Sequence, residues 1–487
     1  MITFASQGLE SRTFLSQHNF LVYRNKLTAV PLICCKAREQ RSEGFPCHLC
    51  LDPLIVSAYR ARENILSKGS YNLGEAKTTM NADVLDTGKA RGPLAGLRVI
   101  ETGVLLAGPF CARLLGDFGA EVIKIEAPGE GDPMRTIGQA LEDGKSLWWP
   151  SISRNKKCVT LNLRVPEGQE ILRKLITDAD VLIENFRPGT FEGWGLGYDT
   201  LKQINPGLVF VRVSGYGQTG PASHKPGFAA VAEAFGGLRH LVGFPDRAPC
   251  RVGISLGDSL AGMFSAYGVM MALYNRDVHG GQGQMIDTAL YEGVFALLEG
   301  TLTEYDRTGF VRTRTGTTLP GFAPSNLYPC KDGQWIIIAA NTDGLFRRLC
   351  VLMQREELLN DPRFVGQVTR AQNRDAIDKI VAAWTAEQEL DSLLTRLDTA
   401  TIPAGPVYSI ADIVKDPHFQ ARDMLLSVHD RLLGEIRMPG IVPKLSGTPG
   451  AVHFTGPALG EHNFEVYGNV LGLRADEIEV LAARGIL

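Results

Sequence analysis

The chain has 487 residues, 44% of them hydrophobic and 21% charged. That balance excludes wholesale disorder and fits a globular protein of roughly three domains, or two large ones. Fifty Lys and Arg against 53 Asp and Glu leave a net charge of −3, so no global basic field exists to attract nucleic acid or an anionic membrane. No transmembrane span is expected, since no uncharged apolar run reaches about 18 residues. The longest apolar stretch, Ala261–Tyr274, carries glycines and Ser265 and reads as a buried core helix.

Residues 1–90 stand apart. They show no sustained periodicity, and Met1–Thr79 holds ten Lys or Arg against six Asp or Glu. Four of the nine cysteines (Cys34, Cys35, Cys47, Cys50) lie here, and the other five are scattered singly, as free thiols usually are. Cys47-His48-Leu49-Cys50 is half a zinc knuckle without a second pair at finger spacing. The segment reads either as a transit peptide, with one acidic residue in Met1–Ala37, or as an over-long gene start with Met80 as initiator. Disorder is expected in both cases. The second reading puts the protein in the cytoplasm, the first in the mitochondrial matrix.

Regular patterning begins at Gly92. Leu97–Glu101 reads as a strand, Gly103–Gly108 as a turn, Phe110–Phe118 as a helix and Glu121–Glu126 as a strand. The alternation continues with strand Lys157–Leu163, helix Glu167–Thr177, strand Val181–Glu184, helix Tyr198–Ile204 and strand Leu208–Ser214. This order predicts a doubly wound parallel α/β domain. Two long helices are expected at Gly227–Val242 and Asp258–Arg276, then a linker near Thr308–Thr318. A hairpin over Leu327–Ile338, turning at Lys331-Asp332-Gly333, opens a smaller α+β unit. Its helices fall at Gly344–Gln354, Asn373–Ala386 and Gln388–Leu397, and Ile402–Pro406 reads as a linker. The last 60 or so residues are too few to bury a core of their own, so they are expected to return to the large domain. The boundaries expected are 1–90 for an extension, 91–310 for the large domain, 311–401 for the small domain and 402–487 for the linker and return.

The glycines of Gly103–Gly108 do not form G-x-G-x-x-G, and no P-loop, zincin or hydrolase-elbow motif occurs. Arg154-Asn155-Lys156-Lys157 precedes a strand, and Asn185-Phe186-Arg187-Pro188-Gly189 follows one. Loops leaving the C-terminal ends of parallel strands form ligand crevices, so the second segment suits a nucleotide, although a solvated turn accounts for it equally well. Asp258 opens a long helix. It reads as an N-cap or as a carboxylate kept anionic by the helix N-terminus, and periodicity does not separate the two.

These pieces together resemble the class III CoA-transferases, also called the CaiB–BaiF or formyl-CoA transferase family. The resemblance runs from about Pro93 to the C-terminus and rests on GPLAGLRVIETGVLLAGPFCARLLGDFGAEVIKIEAPGEGD, RNKKCVTLNL, DVLIENFRPGTFEGWGLGYDTLKQINPGLVFVRVSGYGQTGP and GDSLAGMFSAYGVMMALYNRDVHGGQGQMIDTALYE. It implies a Rossmann-like large domain built from N- and C-terminal parts of the chain, and a homodimer of interlocked open rings. It places the catalytic aspartate on Asp258, which would form an aspartyl-CoA thioester. A CoA thioester is then the substrate, with no metal, ATP or permanently bound cofactor. Asn185, Phe186 and the segment Leu161–Arg164 match CoA-binding positions. Three basic or contact positions are not kept: they fall on Ala127, Gly193 and Pro226. Lys156, Lys157, Arg187 and Lys225 are the candidates to replace that grip on the phosphates. Asn341 and Gly344 stand where the small domain's active-site loop belongs, without the family's glycine run.

Two other activities fit the same resemblance. An α-methylacyl-CoA racemase needs a His at the position of Phe228, which cannot act as a base. A non-catalytic CoA-binding protein would not need Asp258. Details such as TLTEYDRTG and SLWWPSISRNKK look like the succinyl-CoA-dependent branch that serves malate, citramalate and similar dicarboxylates. Arg251, Arg312 and Arg314 are candidate partners for the substrate carboxylates.

Overall fold

The computed structural model describes residues 92–139 and 144–487. The expectations for residues 1–90, including the cysteine cluster and the half knuckle, lie outside the described residues.

Six parallel strands form the main sheet: β1 (Arg98–Glu101), β2 (Glu121–Glu126), β3 (Lys156–Thr160), β4 (Val181–Glu184), β5 (Val209–Ser214) and β6 (Met285–Ala289). Their spatial order is β3-β2-β1-β4-β5-β6, with Ile100 of β1 in register with Ile123 of β2 and Leu182 of β4. The central strands are continuous apolar runs because helices cover both faces of the sheet. One layer holds α2 (Pro166–Ile176) and α3 (Tyr198–Ile204), packed on Ile123, Leu182 and Phe210. The other holds α1 (Ala107–Asp117), α4 (Ala229–Phe235), α5 (Leu256–His279) and α6 (Leu290–Ala296), packed on Val122, Ile183 and Val211. The strand order reverses between β1 and β4, and that point opens the crevice at the carboxyl ends of the strands.

A second, antiparallel sheet of β7 (Ser325–Pro329), β8 (Trp335–Ala339) and β9 (Ala404–Pro406) packs with α7 (Asp343–Met353), α8 (Arg374–Thr385) and α9 (Leu390–Thr399) around its own core. A hairpin, β10 (Leu425–Asp430) with β11 (Gly434–Pro439), follows. The chain then runs back to the main sheet through α10 (Asn463–Leu471) and α11 (Ala475–Ala483). There Tyr467 donates its hydroxyl to the Thr160 carbonyl at 2.8 Å, and Ile478, Ile486 and Leu487 complete the first core.

Four local expectations change. The helix expected over Gly227–Val242 breaks after Phe235, because Gly237 takes φ 89° and starts a separate turn at Leu238–Leu241. The linker Ile402–Pro406 contains β9, whose backbone pairs with β8. Strand β6 was not foreseen: its sequence, MIDTA, is an edge strand with an exposed start and no apolar run. The apolar stretch Ala261–Tyr274 is buried on one face only. Ala261, Ser265, Val269 and Ala272 are covered, while Met263, Tyr267, Met271 and Tyr274 are exposed. By length and composition alone α5 is apolar enough to cross a membrane, yet half of that window is buried inside the fold.

Candidate active site

The crevice is built from the loops that follow β1 and β4. Asn185, the first residue after β4, accepts the Val104 N–H at 2.8 Å through Oδ1 and donates through Nδ2 to the Val104 carbonyl at 2.8 Å. This two-way clamp ties the loops together across the switch point. Gly103 fits closely there, since a Cβ on it would lie 3.3 Å from Asn185 Oδ1 and 3.3 Å from Pro109 Cδ and would press on the clamp. Glu184 accepts the Phe186 N–H at 2.7 Å and is bound in turn by Arg212 at 2.8 Å. Burial pushes the Glu184 carboxyl up, against the pull of Arg212. Arg212 also pairs with Glu192 at 2.5 Å, which fixes the turn that follows.

A cavity of about 220 Å³ fills this crevice. Val104, Phe186 and Trp194 line it on one side and Ala127, Leu161 and Arg164 on the other. The Phe186 ring stands edge-on to Trp194 at 5.4 Å, giving an aromatic wall. Arg164 is exposed and its side chain has no partner among the described residues, so its guanidinium is available at the rim. The N-terminus of α1 has no side-chain cap and no acidic residue in its first turn. Its free N–H groups and dipole favour an anion. Aromatic surface and an exposed cation in one cavity together suit a phosphorylated nucleotide.

Asp258 lies at the start of α5. Ser255 is the residue that caps this helix, and Asp258 is the third helical residue, in the first turn. The N-cap reading is therefore excluded. Asp258 makes no side-chain hydrogen bond among the described residues. Its carboxyl is pushed up to about 6, first by burial and then by the charge of Glu233, with Arg251 pulling it back down. Glu233 is fully buried on α4 and reaches the Gly257 N–H at 3.4 Å. Gly262 shares the Asp258 face of the helix, four residues on, and a Cβ there would lie 2.8 Å from the Ala107 carbonyl. Asp258 therefore sits one helical turn before the contact between α5 and the start of α1.

The other expected site residues divide clearly. Leu161, Arg164 and Phe186 line one cavity, and Asn185 holds its loop. Arg187 and Lys225 are exposed and unpaired among the described residues, in the loops that follow β4 and β5. Arg251 is exposed, donates to Ser255 Oγ at 3.2 Å and belongs to the Asp258 neighbourhood. Lys156 and Lys157 must be corrected. Lys156 is fully buried, 2.8 Å from Glu101 Oε2 and donating to the Pro109 carbonyl at 2.7 Å. Lys157 points to the other face of β3 and pairs with Glu121 at 2.7 Å and Glu465 at 2.8 Å. Neither is free to bind a phosphate. Arg312 is likewise committed, to both oxygens of Glu304, and Arg314 donates to the carbonyls of Phe244 and His240 at 3.3 Å. Asn341 and Gly344 stand at the edge of the small domain, between β8 and the first turn of α7. The Asn341 carbonyl accepts from Arg370 at 2.7 Å, Gly344 is exposed, and among the described residues neither hydrogen-bonds to Asp258. Among the described residues no group of three or more His, Cys, Asp or Glu is placed to hold a metal.

Sequence reasoning missed Glu184, Trp194, Asp132 and Glu233. The one local signal was a charge out of place: Lys124 sits inside the apolar strand EVIKIE, and such a residue needs a buried partner.

Comparison with known proteins adds an independent line. The family model for CoA-transferase family III matches residues 94–463. Succinyl-CoA--D-citramalate CoA-transferase of Chloroflexus aurantiacus is 50% identical over 395 residues, covering 81% of this chain and 98% of that protein. The alpha subunit of succinyl-CoA--L-malate CoA-transferase from the same organism is 43% identical, covering 82% and 94%. Among solved structures, a CAIB/BAIF family protein from Brucella suis superposes with a TM-score of 0.69 at 34% identity, covering 78% of this chain and 100% of that one.

Proposed function

The chain belongs to CoA-transferase family III, and from that premise we propose that it moves CoA from succinyl-CoA to a hydroxylated dicarboxylate such as citramalate or malate, through a covalent intermediate on Asp258. CoA thioesters are the substrates of this class of enzyme. The relatives named for succinyl-CoA, citramalate and malate support this choice of acids. The observation that carries the mechanism is the state of Asp258: a half-buried carboxylate in the first turn of α5 that makes no side-chain hydrogen bond among the described residues.

The steps balance without a metal or a net proton transfer. The Asp258 carboxylate attacks the succinyl thioester carbonyl, and the C–S bond breaks to give a mixed anhydride and CoA thiolate. The thiolate attacks the aspartyl carbonyl of the anhydride, forming aspartyl-CoA thioester and releasing succinate. The acceptor carboxylate then attacks that thioester, giving a second anhydride and thiolate. The thiolate takes the acceptor acyl group, and Asp258 returns as a free carboxylate. A thioester stands at both ends, so the exchange is close to balanced in energy. Arg164, Arg187 and Lys225 bind CoA phosphates in this reading, Phe186 and Trp194 form the wall of the CoA site, and Arg251 faces a substrate carboxylate.

A second copy of the chain completes the enzyme in this reading. The exposed apolar stripe Met263, Tyr267, Met271, Tyr274 and Val278 on α5 is the surface such a partner would cover. The test is to incubate the protein with succinyl-CoA, quench with hydroxylamine and map the adduct by mass spectrometry. A hydroxamate on Asp258, together with citramalyl- or malyl-CoA in a donor–acceptor matrix, is expected. Turnover without an adduct overturns the covalent step. Solvent deuterium at the α-carbon of a branched acyl-CoA, without CoA transfer, favours racemisation instead.

A further inference from the structure

We propose that Asp132 is a positioning residue for the CoA thioester, holding the loop after β1 in the strained shape that the bound substrate needs. The inference rests on the reading of the crevice as the CoA site. Leu105 stands in the left-handed region with φ 64°, where a residue with a Cβ is disfavoured. Asp132 Oδ1 accepts the Leu105 N–H at 3.0 Å and the Met134 N–H at 2.8 Å. Its Oδ2 lies 2.8 Å from the Lys124 ammonium. Lys124 donates to Glu101 Oε1 at 2.7 Å and to the Gly103 carbonyl at 2.9 Å. Glu101 Oε2 pairs with Lys156, which donates to the Pro109 carbonyl. Two carboxylates and two ammoniums thus alternate in a chain whose side chains are at most 1% exposed.

This chain of charges touches the backbone at Gly103, Leu105 and Pro109, and Asn185 clamps Val104 between them. These three contacts fall on the segment that joins β1 to α1 and on the first turn of α1. Buried ion pairs are weak evidence of a stability role, because apolar residues of equal volume often serve as well. Their aim at one short segment points to geometry instead. Asp132 and Val104 line the same cavity. Lys124 holds the Asp132 carboxyl below its ordinary range, so it remains an acceptor at neutral pH. The loop's shape decides how Val104 faces the crevice.

The test compares the full-length enzyme with Asp132→Ala, Asp132→Asn, and Asp132→Ala combined with Leu105→Gly. Read-outs are KM for succinyl-CoA, KM for the acceptor acid, kcat and the melting temperature. Asp132→Ala should raise KM for succinyl-CoA about tenfold, the size of one lost buried hydrogen bond, with the acceptor KM unchanged. Leu105→Gly in that background should recover at least half of the loss, because glycine takes this φ without the carboxylate. The melting temperature should stay low, since Lys124 has still lost one of its two buried carboxylates. A folded Asp132→Ala enzyme with an unchanged KM, or a KM rise that glycine does not reverse, overturns the proposal. Should Asp132→Ala not fold, Asp132→Asn decides: it keeps the Oδ1 acceptor, so KM should stay within about threefold of wild type while melting falls. A larger rise overturns the proposal. Phe186→Ala and Arg164→Ala separate the two readings. Where they leave KM for succinyl-CoA unchanged, the crevice is not the CoA site. Where they raise it and Asp132→Ala does not, only the positioning role fails.

Discussion

The crevice between β1 and β4 and the half-buried start of α5 are linked through α1, where Gly262 crosses Ala107, yet they treat charge in opposite ways. In the crevice each buried ionic side chain is committed. Glu101 is held by two ammoniums, Lys124 by two carboxylates, and Glu184 by Arg212 and a backbone N–H. At α5, Asp258 has no hydrogen-bonding partner, and its charged neighbours act only at a distance. The contrast teaches a division of labour. Committed charges fix the shape of a binding site, and an uncommitted carboxylate keeps the freedom to form and break a bond.

The largest effect that would break this contrast is the loss of Asp258. Asp258→Asn is expected to lower kcat by about a thousandfold or more, because the neutral amide is not a competent nucleophile. The melting temperature should hold or rise, since removing a half-buried charge beside Glu233 relieves repulsion. Glu101→Gln should do the reverse. It leaves Lys156 buried without a carboxylate and Lys124 with Asp132 alone, a loss of about 3–5 kcal/mol in urea unfolding. A stability loss from Asp258→Asn as large as that from Glu101→Gln would erase the distinction.

Asn185→Ala tests the seam between the regions. It removes both bonds to Val104, so KM for the CoA thioester should rise about tenfold with a much smaller change in kcat. An equal fall in kcat would mean that the clamp also sets the position of Asp258.

Much of the large domain was legible because its strands are buried on both faces and therefore read as apolar runs. Val181–Glu184 and Tyr198–Ile204 fall where periodicity puts them. Strand β6 escaped because an edge strand lacks that run, and the break at Gly237 escaped because a left-handed glycine leaves the apolar period intact. The site was legible only in part. The motif text around Asn185 and Asp258 drew attention to both, but Lys156 and Lys157 looked like phosphate ligands for the same reason that Arg164 did. A basic residue in sequence does not reveal whether a carboxylate from another strand already holds it. Glu101 lies 55 positions before Lys156, and only the sheet brings them together. Periodicity left Asp258 open between a cap and a carboxylate within the helix because α5 starts two residues earlier than the pattern suggests, at Leu256.

The smallest expected effect is also the sharpest probe of Asp258's freedom. With its carboxyl pushed up to about 6, the protonated and inactive form accumulates below that pH. The rate kcat/KM should therefore be level above about pH 7 and fall tenfold per unit well below pH 6, measured with a donor whose own carboxylate is already ionised. Glu233 and Arg251 act on this midpoint with opposite sign. Glu233 raises it by repulsion, so Glu233→Gln should move the acid limb to lower pH. Arg251 lowers it by attraction, so Arg251→Met should move the limb to higher pH, by a fraction of a unit because the guanidinium is exposed and screened. Arg251→Met should also raise KM for the acid if its guanidinium meets a substrate carboxylate. A shift of the acid limb without a KM change would leave Arg251 acting on Asp258 alone, and a KM change without a shift would make it a substrate contact that Asp258 does not feel.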